Sequence, residues 1–555
     1  MCGTQRRILL GLPVVAALMA TPWLWGDAPT VEREGVTPLS NAPWEGLPDQ
    51  PLSPAEVDRL IADGLKSSGR TAAPLTTDEQ FLRRVMLDLT GELPMPADIK
   101  EFVADADPQK RAKLIERLLA SEEYARHWAR YWKDVIAARV VEGRVLAVAR
   151  GFEDWMRRQL QANRPWNEIV QEMLTAGGLM RFDDPAANGA AFFLLARQGP
   201  DAVNERAAET SRVFLGIQIQ CAQCHDHPSD QWKRIQFHEL AGYFARTRER
   251  LVLDGMRFVG MELMSTPFGE HRMPSPDDPN SGIVTHPRFL TGQGPRKYLP
   301  DEDRRQALAE AVVDRKNYWF AAAYVNRVWG ELMGRAFYEP VDDMGPLKEA
   351  VFPEVLARLA VSFRATGYDT KALFRTILNT QTYQRQSRLG ESADDHLHFA
   401  ASYPTRLRAD AIWQSLVNVL GTLSGPGGAA RGPFPFANSR SMLEAQVKGL
   451  FEVDPSTKPD EVEGSVSQAL LMMNNPVLNQ RIRAEGTNLL ARILSAYPND
   501  DDAIRMVYLR TLARKPTDRE LEKCRAYVKK VGQRAEAFED ILWALLNSTE
   551  FQTKR

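Results

Sequence analysis

The sequence predicts an all-α protein with two largely helical domains, one small β-hairpin and long connecting loops rich in proline and glycine. Capping signals recur along the chain, and apolar residues repeat at helical spacing. Strict alternation of apolar and polar residues is almost absent. The chain has 555 residues, which exceeds what one hydrophobic core usually organises, so we expect at least two domains.

Helix starts are marked by capping boxes. In Ser53-Pro54-Ala55-Glu56 the serine hydroxyl can accept from the third amide of the helix, and the glutamate can bond back to the serine. The residues 77–80 and 517–520 repeat this logic. Asp107-Pro108 also precedes a predicted helix. Apolar faces at helical spacing support two of these segments: Leu114, Ile115, Leu118 and Leu119, and Ile541, Leu542, Leu545 and Leu546.

Composition divides the chain into five parts. Residues 1–26 are predicted to be a signal peptide, and residues 27–50 form a linker rich in proline and glycine. An N-terminal helical domain is expected over 51–264, and a C-terminal helical domain over 301–555. Because proline cannot donate to a helix or a central strand, the proline-rich residues 265–300 are predicted to be a linker.

Two further irregular features are expected. Apolar residues around Asp254-Gly255 predict a small hairpin within Arg250–Met264. A stretch rich in glycine and proline, from Gly425 to Pro435, predicts a long loop inside the C-terminal domain.

The N-terminus predicts export to the periplasm or the cell surface. Arg6 and Arg7 precede an apolar run from Ile8 to Ala20, which is typical of a secretory signal and short for a membrane span. An uncleaved signal would be the one membrane contact we expect. The formal net charge is −2, which gives no reason to expect a nucleic-acid partner.

The clearest chemical motif is Cys221-Ala222-Gln223-Cys224-His225. Two thiols one turn apart can add to the two vinyl groups of haem, and the following histidine can then ligate the iron. Cys221, Cys224 and His225 are therefore predicted to bind one haem c in an exported protein with a redox or electron-transfer role. A redox partner or a cytochrome at the cell envelope is the expected partner.

Two alternatives remain open for this segment. Cys221, Cys224, His227 and His238 could hold a structural zinc or iron ion in a non-catalytic binding or scaffold protein. The two cysteines could also form a disulfide or a thiol pair. In the haem interpretation His227 is too close to His225 to reach the opposite face of the porphyrin. We expect His227 to orient His225 or to ligate a different metal.

Other candidate residues are weaker. Possible sixth iron ligands are methionines downstream of the motif, namely Met256, Met261, Met264 and Met273. The stripe of Tyr124, Trp128 and Trp132 fits a packed core better than a haem pocket. The neighbouring carboxylates of Asp342 and Asp343 suit a cap or loop better than acid/base work or a metal site. His396 and His398 suit a surface loop. No nucleotide-binding or common hydrolase motif occurs.

Several motifs together resemble the planctomycete-type cytochrome-associated proteins, which pair two domains of unknown function. The matching segments of the first domain are Phe81–Pro94, Trp128–Trp132, Arg212–Gly216 and Cys221–Trp232. Those of the second are Val325–Trp329, Gly334-Arg335, Glu339–Met344, Tyr383–Ser387, Asn474–Pro476 and Leu546–Phe551. The resemblance implies an exported, largely helical protein that is often accompanied by a separate cytochrome c domain. It implies no settled activity.

Overall fold

Helices make up most of the chain, as the sequence predicts, and small antiparallel sheets accompany them. The computed structural model describes residues 33, 35–138, 140, 143–275, 278, 281–294, 300–387, 398–421, 423 and 439–554. The predicted signal peptide, His396 and the predicted loop from Gly425 to Pro435 lie outside the described residues. Within those ranges, no helix is both long and apolar enough to cross a bilayer.

Among the described residues, ten α-helices precede the proline-rich stretch. They are α1 (Pro54–Ser67), α2 (Asp78–Thr90), α3 (Pro96–Ala104), α4 (Lys110–Ala120), α5 (Glu122–Ala137), α6 (Gly143–Gln161), α7 (Trp166–Thr175), α8 (Phe192–Leu195), α9 (Ala202–Leu215) and α10 (Arg234–Ala241). Four more precede residue 400: α11 (Asp301–Val313), α12 (Tyr318–Met333), α13 (Pro353–Ala365) and α14 (Thr370–Leu378).

The remaining described helices form the C-terminal part. They are α15 (Ala409–Leu420), α16 (Ser439–Phe451), α17 (Val466–Asn474), α18 (Pro476–Ile482), α19 (Leu489–Ala496), α20 (Asp500–Leu512), α21 (Asp518–Val531), α22 (Arg534–Leu546) and α23 (Thr549–Gln552). The strands are β1 (Gly178–Arg181), β2 (Thr247–Asp254), β3 (Arg257–Ser265), β4 (His271–Pro274), β5 (Gly282–Thr285), β6 (Thr405–Arg406) and β7 (Thr553–Lys554).

The three capping boxes start their helices as predicted. Ser53 caps α1, Thr77 caps α2 and Thr517 caps α21, and in each the third helical residue bonds back to the cap. The helix after Asp107-Pro108 begins at Lys110, because the Asp107 carboxylate accepts from the amide of Gln109 and forms a turn before the helix.

The predicted hairpin is confirmed. Strands β2 and β3 pair around Gly255, whose φ of 58° permits the tight turn. The short strand β1 adds to β3 on its other side, so the sheet has the order β1-β3-β2. Alternation in the sequence was too short at β1 to predict this third strand.

The stretch 265–300 is more structured than its proline content predicts. Strand β4 pairs with β5 in the register His271 to Thr285 and Pro274 to Gly282. Pro274 lies at the end of its strand, where a missing amide donor is tolerated. This small sheet packs against α10, beside the cysteine–histidine motif.

The predicted N-terminal linker also packs against the folded chain. The amide of Leu39 donates to the carbonyl of Leu290 at 2.8 Å. Trp44 is buried, and the guanidinium of Arg364 lies 4.1 Å from its ring centroid. Buried apolar side chains therefore fix this segment despite its loop-like composition.

Two hydrophobic cores organise the described residues. The larger core takes its residues from Leu39 to Ala400, and Leu509 and Ala513 near the end of α20 join it. The smaller core takes its residues from Leu407 to Phe551, and Leu87 and Leu93 of the N-terminal half join it. Helix α12 packs on α9, so the larger core is continuous across residues 265–300. The cores thus divide near residue 400 rather than at the proline-rich stretch.

Candidate functional site

The cysteine–histidine motif lies between α9 and α10. Helix α9 ends at Gly216, which has a left-handed φ of 70°, and a Cβ there would lie 2.5 Å from the Sδ of Met344. A short 3₁₀ turn follows at Gln220–Gln223. The buried methyl of Ala222 fixes this turn to the core and leaves its flanking cysteines at the surface.

Cys221 and Cys224 are both free thiols and both are exposed. The third free thiol of the described chain, Cys524, is only partly exposed, and its sulfur lies 3.9 Å from the hydroxyl of Tyr508. Burial raises the pKa of Cys524. Among these cysteines, the two of the motif are the ones that a bulky reactant can reach.

The imidazole of His225 is held in one orientation. Its Nδ1 lies 2.7 Å from the carbonyl oxygen of Asp226. Because a carbonyl only accepts, Nδ1 carries the proton in this contact and Nε2 of the neutral ring presents a lone pair. Histidines that ligate metals through Nε2 usually donate Nδ1–H in this way. The side chain is exposed, so that lone pair is accessible.

His227 has the opposite arrangement. Its Nδ1 accepts from the amide of Ser229 at 3.3 Å, and its own amide donates to the carbonyl of Trp232 at 2.8 Å. Nδ1 is therefore the unprotonated nitrogen of the neutral ring, and Nε2 carries the proton. Among the described contacts, none joins the side chain of His227 to that of His225. The prediction that His227 orients His225 therefore has no supporting contact.

Asp226 and Asp230 accept hydrogen bonds from backbone amides of the segment and not from the imidazole rings. The carboxylate of Asp226 pairs with the ammonium of Lys233 at 2.8 Å and accepts from the amide of Arg234 at 2.9 Å, at the start of α10. The Lys233 contact and this amide lower the pKa of Asp226. Asp230 accepts from the amide of Gln231 at 2.7 Å. These three contacts fix the loop in place.

Two histidines, the buried His238 and the half-buried His271, lie directly behind the motif. The Nε2 of His238 lies 3.0 Å from the carbonyl oxygen of Gln223, between the two cysteines, and its Nδ1 lies 2.8 Å from the Nε2 of His271. The carbonyl fixes the proton of His238 on Nε2, so His271 donates to Nδ1. Burial lowers the pKa of each histidine to about 4.

His271 was not predicted as a site residue. It lies in the stretch 265–300, which the proline content assigned to a linker, and 46 residues after His225 by sequence number. A lone histidine in such a stretch carries no sequence signal. The antiparallel pairing of β4 and β5 brings it against α10.

The alternative zinc or iron site is not assembled in this structure. Both ring nitrogens of His238 have partners, so ligation would require one of these bonds to break. Within the described ranges, no group of three or more histidines, cysteines or acidic residues has the geometry of a metal site. His225 and the two exposed thiols therefore stand apart from the bonded pair of His238 and His271.

The methionines proposed as sixth ligands lie in different environments. Met256 is fully exposed at the hairpin turn, whereas Met261 is 1% exposed and within the larger core. Met264 is half-buried in β3. Met273 is half-buried in β4, two residues after His271, on the sheet that packs against α10. Of the four, Met273 belongs to the element nearest the motif.

The aromatic stripe is core, as the sequence favours. Tyr124, Trp128 and Trp132 are all buried. Trp132 stacks with Tyr324 of α12 at a centroid distance of 5.6 Å, and Trp128 donates to the carbonyl of Asp88. These rings join the two halves of the larger core and leave no face for a ligand.

Asp342 is a structural residue that links two parts of the chain. It is fully buried, and its carboxylate accepts from Arg212 and from Gln218, both at 2.9 Å. Arg327 lies 3.9 Å away. Burial alone would raise the pKa of Asp342, but Arg327 and Arg212 outweigh it and lower that pKa.

Asp343 and His398 have different surroundings. The Asp343 carboxylate pairs with Lys348 at 3.3 Å and is 29% exposed. The ring of His398 packs edge-on against Phe352 at 6.1 Å. The two aspartates thus do not act as a pair, because Asp342 points to the arginines and Asp343 to a lysine.

Two family models match the chain. Residues 56–249 match the family described as PSCyt2, protein of unknown function (DUF1549), and residues 304–449 match that described as PSD1, protein of unknown function (DUF1553). The chain therefore carries both domains of unknown function, and the predicted pairing is confirmed. The cysteine–histidine motif lies in the first match and Asp342 in the second. No curated protein and no solved structure matches.

Proposed function

We propose that this chain is an exported protein that carries one haem c on Cys221 and Cys224 and transfers electrons at the cell envelope. The observation that supports this best is the orientation of His225. Its Nδ1 is engaged by the Asp226 carbonyl, and its Nε2 lone pair is accessible one residue after two exposed free thiols. Thiols, spacing and tautomer all suit one covalent haem.

The chain's own residues have defined tasks in this proposal. Cys221 and Cys224 would hold the haem through two thioether bonds, each made by adding the S–H of the thiol across one vinyl group. His225 would hold the haem iron through Nε2, and the Asp226 carbonyl keeps the imidazole in the tautomer that leaves Nε2 unprotonated. The bonds from Asp226 to Lys233 and Arg234 hold that carbonyl in place. Haem, when bound, supplies one-electron redox chemistry.

The surface position of the motif also suits electron transfer. Both thiols and the His225 ring are exposed, so a group bound there would keep an edge near solvent. Electron-transfer partners usually meet through small surface contacts. We propose a redox partner or a cytochrome of the envelope as this partner.

The test is production of the full chain in an exporting host with haem c maturation, followed by a pyridine haemochrome spectrum. We expect a c-type spectrum that survives acid–acetone extraction. Cys224→Ala should remove one thioether and shift the spectrum, and Cys221→Ala with Cys224→Ala should abolish the covalent pigment. Cys524→Ala is the matched control, because this thiol is half-buried beside Tyr508, and it should leave the pigment unchanged.

Metal analysis and thiol titration on the same sample distinguish the alternatives. Stoichiometric zinc or iron without haem would overturn the proposal in favour of a structural metal site. Loss of both motif thiols without haem or metal would identify a disulfide. Two reactive thiols with no pigment, from a host that loads a control cytochrome, would also contradict the proposal.

A further inference from the structure

A cavity of about 130 Å³ lies between α5, α12, β6 and the segment after α16. Tyr131 and Asp134 come from the first matched family region, and Arg327 and Glu331 from the second. A cavity of roughly 150 Å³ holds one benzene-sized ring in a protein core. The space is slightly smaller than that and is partly open to solvent, so it suits a small ring whose substituents extend toward the mouth of the cavity.

The charged side chains around the cavity are mostly paired with each other. Arg408 bonds to Asp134 at 2.5 Å and lies over the Tyr131 ring at 4.9 Å. Arg335 pairs with Glu339 at 2.6 Å and with Asp460 at 3.1 Å. These guanidinium groups are therefore neutralised before any ligand binds, and an anion would gain little from them.

Two kinds of polar group remain available. The carboxylates of Glu331 and Glu452 line the cavity, and within the described part of the chain neither has a hydrogen-bond or ion-pair partner. The guanidinium of Arg406 lines it too, and its one described bond is a long one of 3.4 Å to Gln468. The cavity therefore offers both free acceptors and free donors.

A neutral ligand with several hydroxyls fits this combination. An anion would face the carboxylates of Glu331 and Glu452, and a cation would face the guanidinium of Arg406. A hydroxyl both donates and accepts, so it can bond to a carboxylate and a guanidinium at once. We propose that this cavity binds one sugar ring, with Glu331 and Arg406 as its principal polar contacts.

This second site goes beyond electron transfer and does not depend on a haem. The residues that line it are distinct from Cys221, Cys224 and His225. The two proposals can therefore fail separately.

The first measurement is saturation-transfer difference NMR on the full chain with the methyl glycosides of glucose, galactose, mannose, xylose, fucose and N-acetylglucosamine. Acetate, phosphate and methylammonium serve as anionic and cationic probes. We expect at least one glycoside to bind in the millimolar range or tighter, and the ionic probes not to compete with it. Binding of an ionic probe without any glycoside would overturn the proposal, as would binding of no probe.

Variants locate the binding. Glu331→Gln should weaken the glycoside about tenfold or more, because a hydrogen bond to a charged group is lost. Arg406→Gln should act in the same direction, and its exposed position makes misfolding a minor concern. Glu349→Gln is the matched control, since this carboxylate is exposed and does not line the cavity. Equal affinities for all three variants, each with a wild-type circular dichroism spectrum, would refute the assignment.

Discussion

Replacing Asp342 by asparagine tests the buried ionic network that joins the two parts of the larger core. The substitution keeps the shape of the side chain and removes its charge. Arg212 would keep the carboxylate of Glu209, at 2.7 and 3.0 Å, but would lose the charge of Asp342, 2.9 Å away. An asparagine has one acceptor oxygen, so its NH2 group would face a donor of either Arg212 or Gln218. Arg327, which is 2% exposed, would keep a hydrogen bond to Tyr131 and a weak contact of 3.4 Å to Ser456.

The expected cost follows from this loss. Removing one partner of a buried ion pair costs about 3–5 kcal/mol, since an uncompensated charge stays behind. Unfolding entropy is about 2.1 cal/mol/K per residue, so for the roughly 360 residues of the larger core this corresponds to a fall in Tm of about 4–7 °C. Differential scanning calorimetry measures this shift.

Asp343→Asn is the matched control. This neighbour is partly exposed and pairs only with Lys348 at 3.3 Å, so its loss should cost under about 1 kcal/mol. The pH dependence gives a second check. Because the pKa of Asp342 is lowered in the folded state, its stabilisation is present above the unfolded pKa of about 3.9 and is lost as pH falls through the folded pKa. Equal Tm values for the two variants at pH 7 would refute the reasoning.

Two further predictions concern the surroundings of the motif. Gly345→Ala should destabilise the protein by about 1–3 kcal/mol, because its Cβ would lie 1.9 Å from the Oδ2 of Asp230. The control, Gly449→Ala, lies in a helix with no atom within 4 Å of the added Cβ, and it should stabilise the protein by about 0.5–1 kcal/mol. Thermal denaturation that gives Gly345→Ala a Tm equal to or above that of Gly449→Ala would contradict this reasoning. His238 and His271 should stay neutral at pH 6 and take up protons only near pH 4, which ¹⁵N NMR of the imidazoles measures. In the unfolded chain both imidazoles take up protons near pH 6.5, so the free energy of unfolding should fall as pH is lowered from about 6.5 to 4. Titration of either ring at its ordinary pKa would contradict this prediction.

Local signals were enough to predict the helical class. A capping box needs only four residues, and its bonds form within one turn, so Ser53, Thr77 and Thr517 could be assigned from the sequence alone. The hairpin at Gly255 is equally local. Cys221, Cys224 and His225 could be singled out from the sequence because the motif is contiguous, and their binding of a haem stays a prediction.

Contacts between distant residues were not predictable from one sequence. His271 reaches His238 only because β4 and β5 pair and pack on α10, and the proline content of that stretch indicated a loop. Likewise, Asp342 meets Arg212 across 130 positions, and nothing local distinguishes it from its neighbour Asp343. The cavity beside Tyr131 gathers side chains from five separate stretches, namely 131–134, 327–341, 405–409, 451–468 and Gln552.

The sequence by itself determined where most helices begin, the hairpin turn, and a surface motif with two thiols and one histidine. Each of these depends on residues within a few positions of one another, for which backbone hydrogen bonding and side-chain spacing are decisive. Only the tertiary structure decided that the cores divide near residue 400, that His271 supports the motif and that Asp342 is structural. These depend on which apolar faces pack together, because burial selects the partners of each charged or polar group.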